Sequence, residues 1–189
     1  MTIHSAYEAL FWIWVASEIL LQVVTRTSRS QGQIKDRGSL LLMFPIIFAA
    51  SWWASWYGDT HANTMPGPDL WYRVAGLALL IAGLAIRWTA VLTLGTSFST
   101  NVAIHATQTL KRSGLYHWVR HPSYTGMLIV FLAIGIHERN WVSLAAVLVF
   151  PIAALLYRIH VEESALAEAF GTDYEDYCKT TRRLVPGIY

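Results

Sequence analysis

Apolar runs of membrane-spanning length constrain this chain more than any other feature. A hydrocarbon core of roughly 30 Å takes about 20 helical residues, fewer where flanking groups snorkel. Five runs qualify as spans, at residues 6–24, 40–57, 70–94, 124–137 and 141–157. Pro45 is placed to kink the second, and the last two, joined by the tight HERN turn, read as a helical hairpin. Composition agrees: of 189 residues, 54% are hydrophobic and only 14% charged, and the mean hydropathy of +0.39 lies outside the range of a soluble domain. The expected fold class is all-α, a polytopic membrane protein with about five transmembrane helices and a helical C-terminal segment, in a single domain over residues 1–189. The N-terminus has no basic start, so its apolar run reads as a retained span rather than a secretory signal.

Loop charge sets the expected orientation. The 26–37 loop carries Arg26, Arg29, Lys35 and Arg37, whereas the 58–69 loop has no Lys or Arg. The positive-inside rule then puts the first loop in the cytoplasm. Five spans leave the N-terminus outside and place both the 95–122 loop and residues 158–189 inside. The net charge of +2 is too small and dispersed for nucleic-acid binding, and the single Cys178 cannot form an internal disulfide. His117 and His121 stand four apart, but Pro122 breaks the helix that would align them, so no metal is expected.

Nearly all remaining polar chemistry falls on that cytoplasmic face. Pro122 and the extended bias of His121 before it make a bent entry into the fourth span, with backbone groups that need a partner. Arg120 beside it could equally snorkel to headgroups. Arg158 and Glu162, four apart at the end of the fifth span, can pair on one helix face, which leaves Glu163 for another partner. A short amphipathic stretch then closes at Gly171 as a C-cap, and Thr172 to Glu175 fits a capping box. Tyr174 and Tyr177 share a face of the following helix, a spacing that suits packing or interfacial anchoring. Arg87, costly inside the third span, is expected to pair with Glu18 or line a polar cavity.

The order of these elements is more specific than any one of them. LGTSFS, then SGLYHWVRHPSYTG, then YRIHVEESALAEAFGTDYEDYCKTTRRLVPGIY resembles the isoprenylcysteine carboxyl methyltransferase family of integral membrane enzymes, over roughly residues 83–189. Phospholipid methyltransferases share the RHPxYxG and EE elements, while the arginine before IHVEE and the GLAIRWTAVLTLGTSF context lean to the carboxyl-methylating branch. The resemblance implies S-adenosylmethionine as cofactor, held by residues 95–122 and 158–189. It implies cofactor-binding roles for Tyr116, His121, Pro122, Tyr124, Gly126, Glu162, Glu163, Tyr174 and Tyr177, with either glutamate touching the cofactor, and a reacting centre faced by Arg120 and Arg158. The implied partner is a lipophilic or prenylated acceptor entering from the bilayer, in a bacterial inner membrane or the endoplasmic reticulum, with the site facing the cytoplasm. A phospholipid amine or a thiol as acceptor, and a non-catalytic scaffold with a degenerate site, are the alternatives.

Overall fold

The computed structural model describes residues 2–25, 33–34, 39–61, 65–98, 103–104 and 109–189, with the side chains of 33–34, 39–44, 96 and 103–104 excepted. The expected loop cations Arg26, Arg29, Lys35 and Arg37 lie outside the described residues. Among the described residues six α-helices carry the fold: α1 (Ile3–Val24), α2 (Ser39–Thr60), α3 (Asp69–Leu94), α4 (Pro122–His137), α5 (Trp141–Phe170) and α6 (Thr172–Thr180). The fold class is all-α as expected, with one two-residue pairing beside the helices, strand β1 (Gln33–Ile34) antiparallel to β2 (Ala103–Ile104).

Local chemistry starts the helices. Thr2 caps α1 by accepting from the Ser5 amide at 3.2 Å, and buried Asn140 caps α5 by accepting from the Val142 and Ser143 amides at 2.9 and 3.3 Å. Pro122 opens α4 at a position where its missing N–H has no intrahelical partner to lose. Both α2 and α5 continue through an internal proline, Pro45 and Pro151. Among the described residues, α1, α3 and α5 are long and apolar enough to cross a membrane, which is fewer than the five expected. At 16 residues, or about 24 Å, α4 falls short of the hydrocarbon thickness.

The fifth span does not end where its apolar run does. Helix α5 is continuous for 30 residues, so the amphipathic stretch that closes at Gly171 forms its last turns. No glycine or proline interrupts residues 152–170, and Ala, Leu and Glu there are strong helix formers. The helix is about 45 Å long, so if its apolar 141–157 portion lies in the bilayer the rest projects beyond it. It stops at Gly171, whose φ of 51° favours a residue without a Cβ. The expected capping box does not form: Gly171 is the N-cap of α6 and Thr172 is already helical, since the turn at Gly171 points its carbonyl at the Tyr174 and Glu175 amides.

Helix α4 sits at the centre, packed against α3 and α5 and more lightly against α2, while α1 lies on α3 and α2 on α5. The α3–α4 crossing is glycine to glycine. A Cβ on Gly126 would stand 2.7 Å from the Arg87 amide nitrogen and the Gly83 carbonyl oxygen. Beside it the expected Arg87–Glu18 pair forms, bidentate at 2.7 and 2.9 Å, with a further bond from Arg87 to Ser123. Both charges are buried, so removing one partner would cost about 3–5 kcal/mol. Outward-facing Trp12, Ile19, Leu20, Val23 and Val24 on α1 give the bundle an apolar exterior.

Candidate active site

Three segments meet at the N-terminal end of α4: the turn before it, the last turns of α5, and α6 with the strap that follows. The strap lies along the turn. Val119 and Arg182 form a parallel bridge, the amides of Arg120 and His121 donate to the carbonyls of Arg182 and Arg183 at 2.7 and 3.0 Å, and Thr125 Oγ1 donates to the Leu184 carbonyl at 2.7 Å. These bonds supply the partners that the bent entry to α4 requires.

The polar side chains of the site form one connected row. Arg158 Nε donates to the Tyr124 hydroxyl at 3.3 Å, and that hydroxyl donates to Glu162 Oε2 at 2.8 Å. Glu162 Oε2 lies 3.8 Å from His121 Nδ1, whose ring continues through Nε2 to Glu163 Oε1 at 3.3 Å. Glu163 then accepts from Arg120 Nε at 3.1 Å and from Arg183 Nε at 2.9 Å. Tyr124 thus stands between Arg158 and Glu162, and Glu163 holds three basic side chains. Burial alone would raise the Glu163 carboxyl, but the bonds from His121, Arg183 and Arg120 outweigh it and bring its pKa down to about 2. The same bond raises the pKa of the Arg183 guanidinium. Arg158 and His121 are buried, whereas the Glu162 and Arg183 side chains are 32% and 41% exposed, so the row is dry at its core and meets water at Glu162 and Arg183.

The two arginines are held differently. Arg120, besides giving Nε to Glu163, gives Nη1 to the carbonyls of Thr181 and Cys178 at 2.7 and 3.3 Å, so a single nitrogen ties it to the end of α6 and the start of the strap. Arg158 emerges from the span itself. Of the aromatic residues, Tyr116 donates to the Ala90 carbonyl on α3 at 3.3 Å, and its own carbonyl accepts from Tyr177 at 2.5 Å. Burial raises the Tyr177 hydroxyl to a pKa of about 12. Tyr174 differs: it is buried, its pKa raised first by burial and then by the Glu163 charge, and its hydroxyl has no partner among the described residues. An orphaned buried hydroxyl beside Glu163 is an atom that a ligand would satisfy.

The structure therefore brings together Arg120, His121, Tyr124, Arg158, Glu162 and Glu163, with Pro122 buried beneath them and Tyr174 and Tyr177 alongside. Gly126 is set apart, its missing side chain used at the α3–α4 crossing. Arg183 was not singled out from sequence, where it is one of two adjacent arginines in TTRRLVPG. The donor set fits S-adenosylmethionine: carboxylates for its cationic centres, guanidinium and hydroxyl donors for its carboxylate.

Comparison with known proteins points to one family. The sequence profile of the isoprenylcysteine carboxyl methyltransferase family matches residues 76–168. The chain is 31% identical over 147 residues to protein-S-isoprenylcysteine O-methyltransferase of Tribolium castaneum, covering 75% of this chain and 51% of that protein. It is 33% identical over 120 residues to protein-S-isoprenylcysteine O-methyltransferase B of Arabidopsis thaliana, covering 62% of this chain and 61% of that one. It thus spans between about half and two thirds of the length of these relatives. A solved structure of the eukaryotic intramembrane Ras methyltransferase, isoprenylcysteine carboxyl methyltransferase, superposes with a TM-score of 0.71 over 98% of this chain and 67% of that one, at 24% identity, and so shares the fold.

Proposed function

We propose that this chain, whose residues 76–168 match the profile of the isoprenylcysteine carboxyl methyltransferase family, is a member of that family and a membrane enzyme that methylates a carboxylate on a lipophilic acceptor, using S-adenosylmethionine. The whole of residues 1–189 acts as one domain, with five spans and with residues 95–122 and 158–189 facing the cytoplasm. The connected row from Arg158 to Arg183 carries this reading. It sets three guanidinium groups and an imidazole against only two carboxylates, a surplus of positive charge that suits an anionic acceptor.

When bound, S-adenosylmethionine supplies an electrophilic methyl carbon on a neutral-leaving sulfur. The residues of the chain have to align acceptor and donor and keep water out, and alignment alone can contribute about 7–11 kcal/mol. Glu162, Glu163, His121 and the Tyr174 hydroxyl hold the cofactor. Arg158, oriented by the Tyr124 hydroxyl, holds one oxygen of the acceptor carboxylate by a charge-assisted hydrogen bond and leaves the other to attack. With S-adenosylmethionine bound, that oxygen would take the methyl group and the sulfur would keep the bonding pair. An acid with pKa near 3.5 is already ionised at neutral pH, so no general base is required. Removing water from the buried row raises the reactivity of the carboxylate. Arg120 keeps the strap over the site.

The test is to incubate the purified protein with methyl-labelled S-adenosylmethionine and lipid extracts, then treat the product with base. Label released as methanol identifies an ester. Label retained as a methylamine or thioether would overturn the carboxylate acceptor, and failure to bind S-adenosylhomocysteine by calorimetry would overturn the enzyme reading altogether.

A further inference from the structure

A second cavity, of 340 Å³, lies between α1 and α2 over Met127 of α4. It exists because α1 packs on α3 while α2 packs on α5, so the two helices stand apart on the same side of α4. None of the residues in the catalytic row lines it. Its walls are aromatic, with Phe11, Trp12 and Trp14 on one side and Phe48 and Trp52 on the other. Trp12 and Trp52 are 61% and 71% exposed, so the cavity opens sideways along the bundle.

Two observations mark it as a binding site. Three of its lining side chains, Tyr7, Trp14 and Ser51, are more than nine-tenths buried, yet their polar atoms have no partner among the described residues. Native structures leave few such atoms, and an undescribed ligand is one of the recognised reasons. In addition, the lining turns acidic at the end away from the catalytic turn, where Glu8, Asp59 and Glu138 come from α1, α2 and the α4–α5 turn. Among the described residues, Glu8 has the imidazole of His4 as its ion-pair partner, at 3.4 Å. Glu138 accepts from Ser55 at 2.9 Å, and neither it nor Asp59 has an ion-pair partner among the described residues. The neighbouring arginines are engaged elsewhere: Arg73 with Asp69, Arg139 with the carbonyls of Met65 and Gly67.

We propose that this groove binds a long-chain amine from the leaflet opposite the catalytic face, its ammonium between Glu8, Asp59 and Glu138 and its hydrocarbon chain along the tryptophan wall. The three carboxylates select the sign of the headgroup and disfavour a fatty acid. Trp12, Trp14 and Trp52 offer both apolar area and ring faces that attract a cation. From Glu8 to Glu18, which closes the far end, the groove runs ten residues of helix, or about 15 Å, room for an extended chain rather than a headgroup alone. The site is independent of the methyl-transfer reading and needs no turnover to be seen.

The test uses the full chain in phosphatidylcholine nanodiscs, above the pKa of Glu138, titrated with 12-bromododecylamine, 12-bromododecanol or 12-bromododecanoic acid while tryptophan fluorescence is followed. The expected result is saturable quenching by the amine at a concentration about tenfold below that of the alcohol, with the acid weakest. The Asp59→Asn/Glu138→Gln variant, which keeps the Ser55 hydrogen bond, should bind amine and alcohol alike. Its binding of the alcohol should be unchanged, which shows that the groove is still folded. The proposal is overturned if the three probes quench equally, if the acid binds best, if quenching rises without saturation, or if the preference for amine survives in the double variant. Concentration-dependent self-association that shields the tryptophans and excludes the amine would also overturn it, assigning the groove to a second copy of the chain.

Discussion

Arg158 and Tyr174 are the residues at which the proposed chemistry is most exposed to test. Arg158 presents a planar fork oriented by Tyr124, and a lysine ammonium cannot reproduce that geometry. Arg158→Lys should leave S-adenosylhomocysteine affinity nearly unchanged while lowering kcat/KM roughly ten- to a hundredfold, the loss of a charged hydrogen bond of about 1.5–3 kcal/mol. Calorimetry and steady-state assays separate the two effects. Tyr174→Phe removes a hydroxyl that has no partner among the described residues. If that hydroxyl meets the cofactor, the variant should bind S-adenosylhomocysteine several-fold more weakly with an unchanged melting temperature; equal affinity would leave it a packing residue. The order of RHP, EE and YxxY was legible because each lies in a short stretch with its own chemistry. Arg183 was not, since only the register of the strap against the α4 turn decides which of two adjacent arginines meets Glu163.

Between elements, the contacts that matter are close and poorly marked in sequence. Gly126 sits in RHPSYTG and reads as part of a cofactor turn, yet its absent Cβ is what lets α4 approach α3. Gly126→Ala should lower stability by about 1–3 kcal/mol through overpacking against backbone that has no rotamer to move, measurable as a lower Tm in detergent. The end of α5 was legible at one residue only: an apolar run shows where a helix leaves a membrane, not where it stops, and Gly171 carried the stop signal. The α4–α5 turn makes a pH-dependent joint. Burial, together with the Asp59 charge and against the Ser55 hydrogen bond, pushes Glu138 up to about 7 from an ordinary value of 4.5. A raised carboxyl contributes its stability at low pH and loses it as pH climbs from about 4.5 through 7. Glu138→Gln should therefore match the parent in Tm near pH 4 and exceed it above pH 7.5, as thermal melts across that range would show.

For the whole molecule, the five-span topology predicts that residues 33 and 187, replaced singly by cysteine in a Cys178→Ser background, are both labelled from the cytoplasmic side by an impermeant maleimide. Labelling from opposite sides would remove that topology. The fold class was legible in sequence because hydrophobic length is a local property. The strand pairing of Gln33–Ile34 with Ala103–Ile104 was not, since two residues carry no periodicity to read. The strap also has a consequence in time. Chain synthesis runs from residue 1 onward at about 5–20 residues per second, so residues 181–184 are the last part of the site to be made. Until those residues are made, the turn ahead of α4 lacks the carbonyls of Arg182, Arg183 and Leu184, and Glu163 lacks Arg183. A chain cut short of the strap therefore carries α1 to α5 but no finished site.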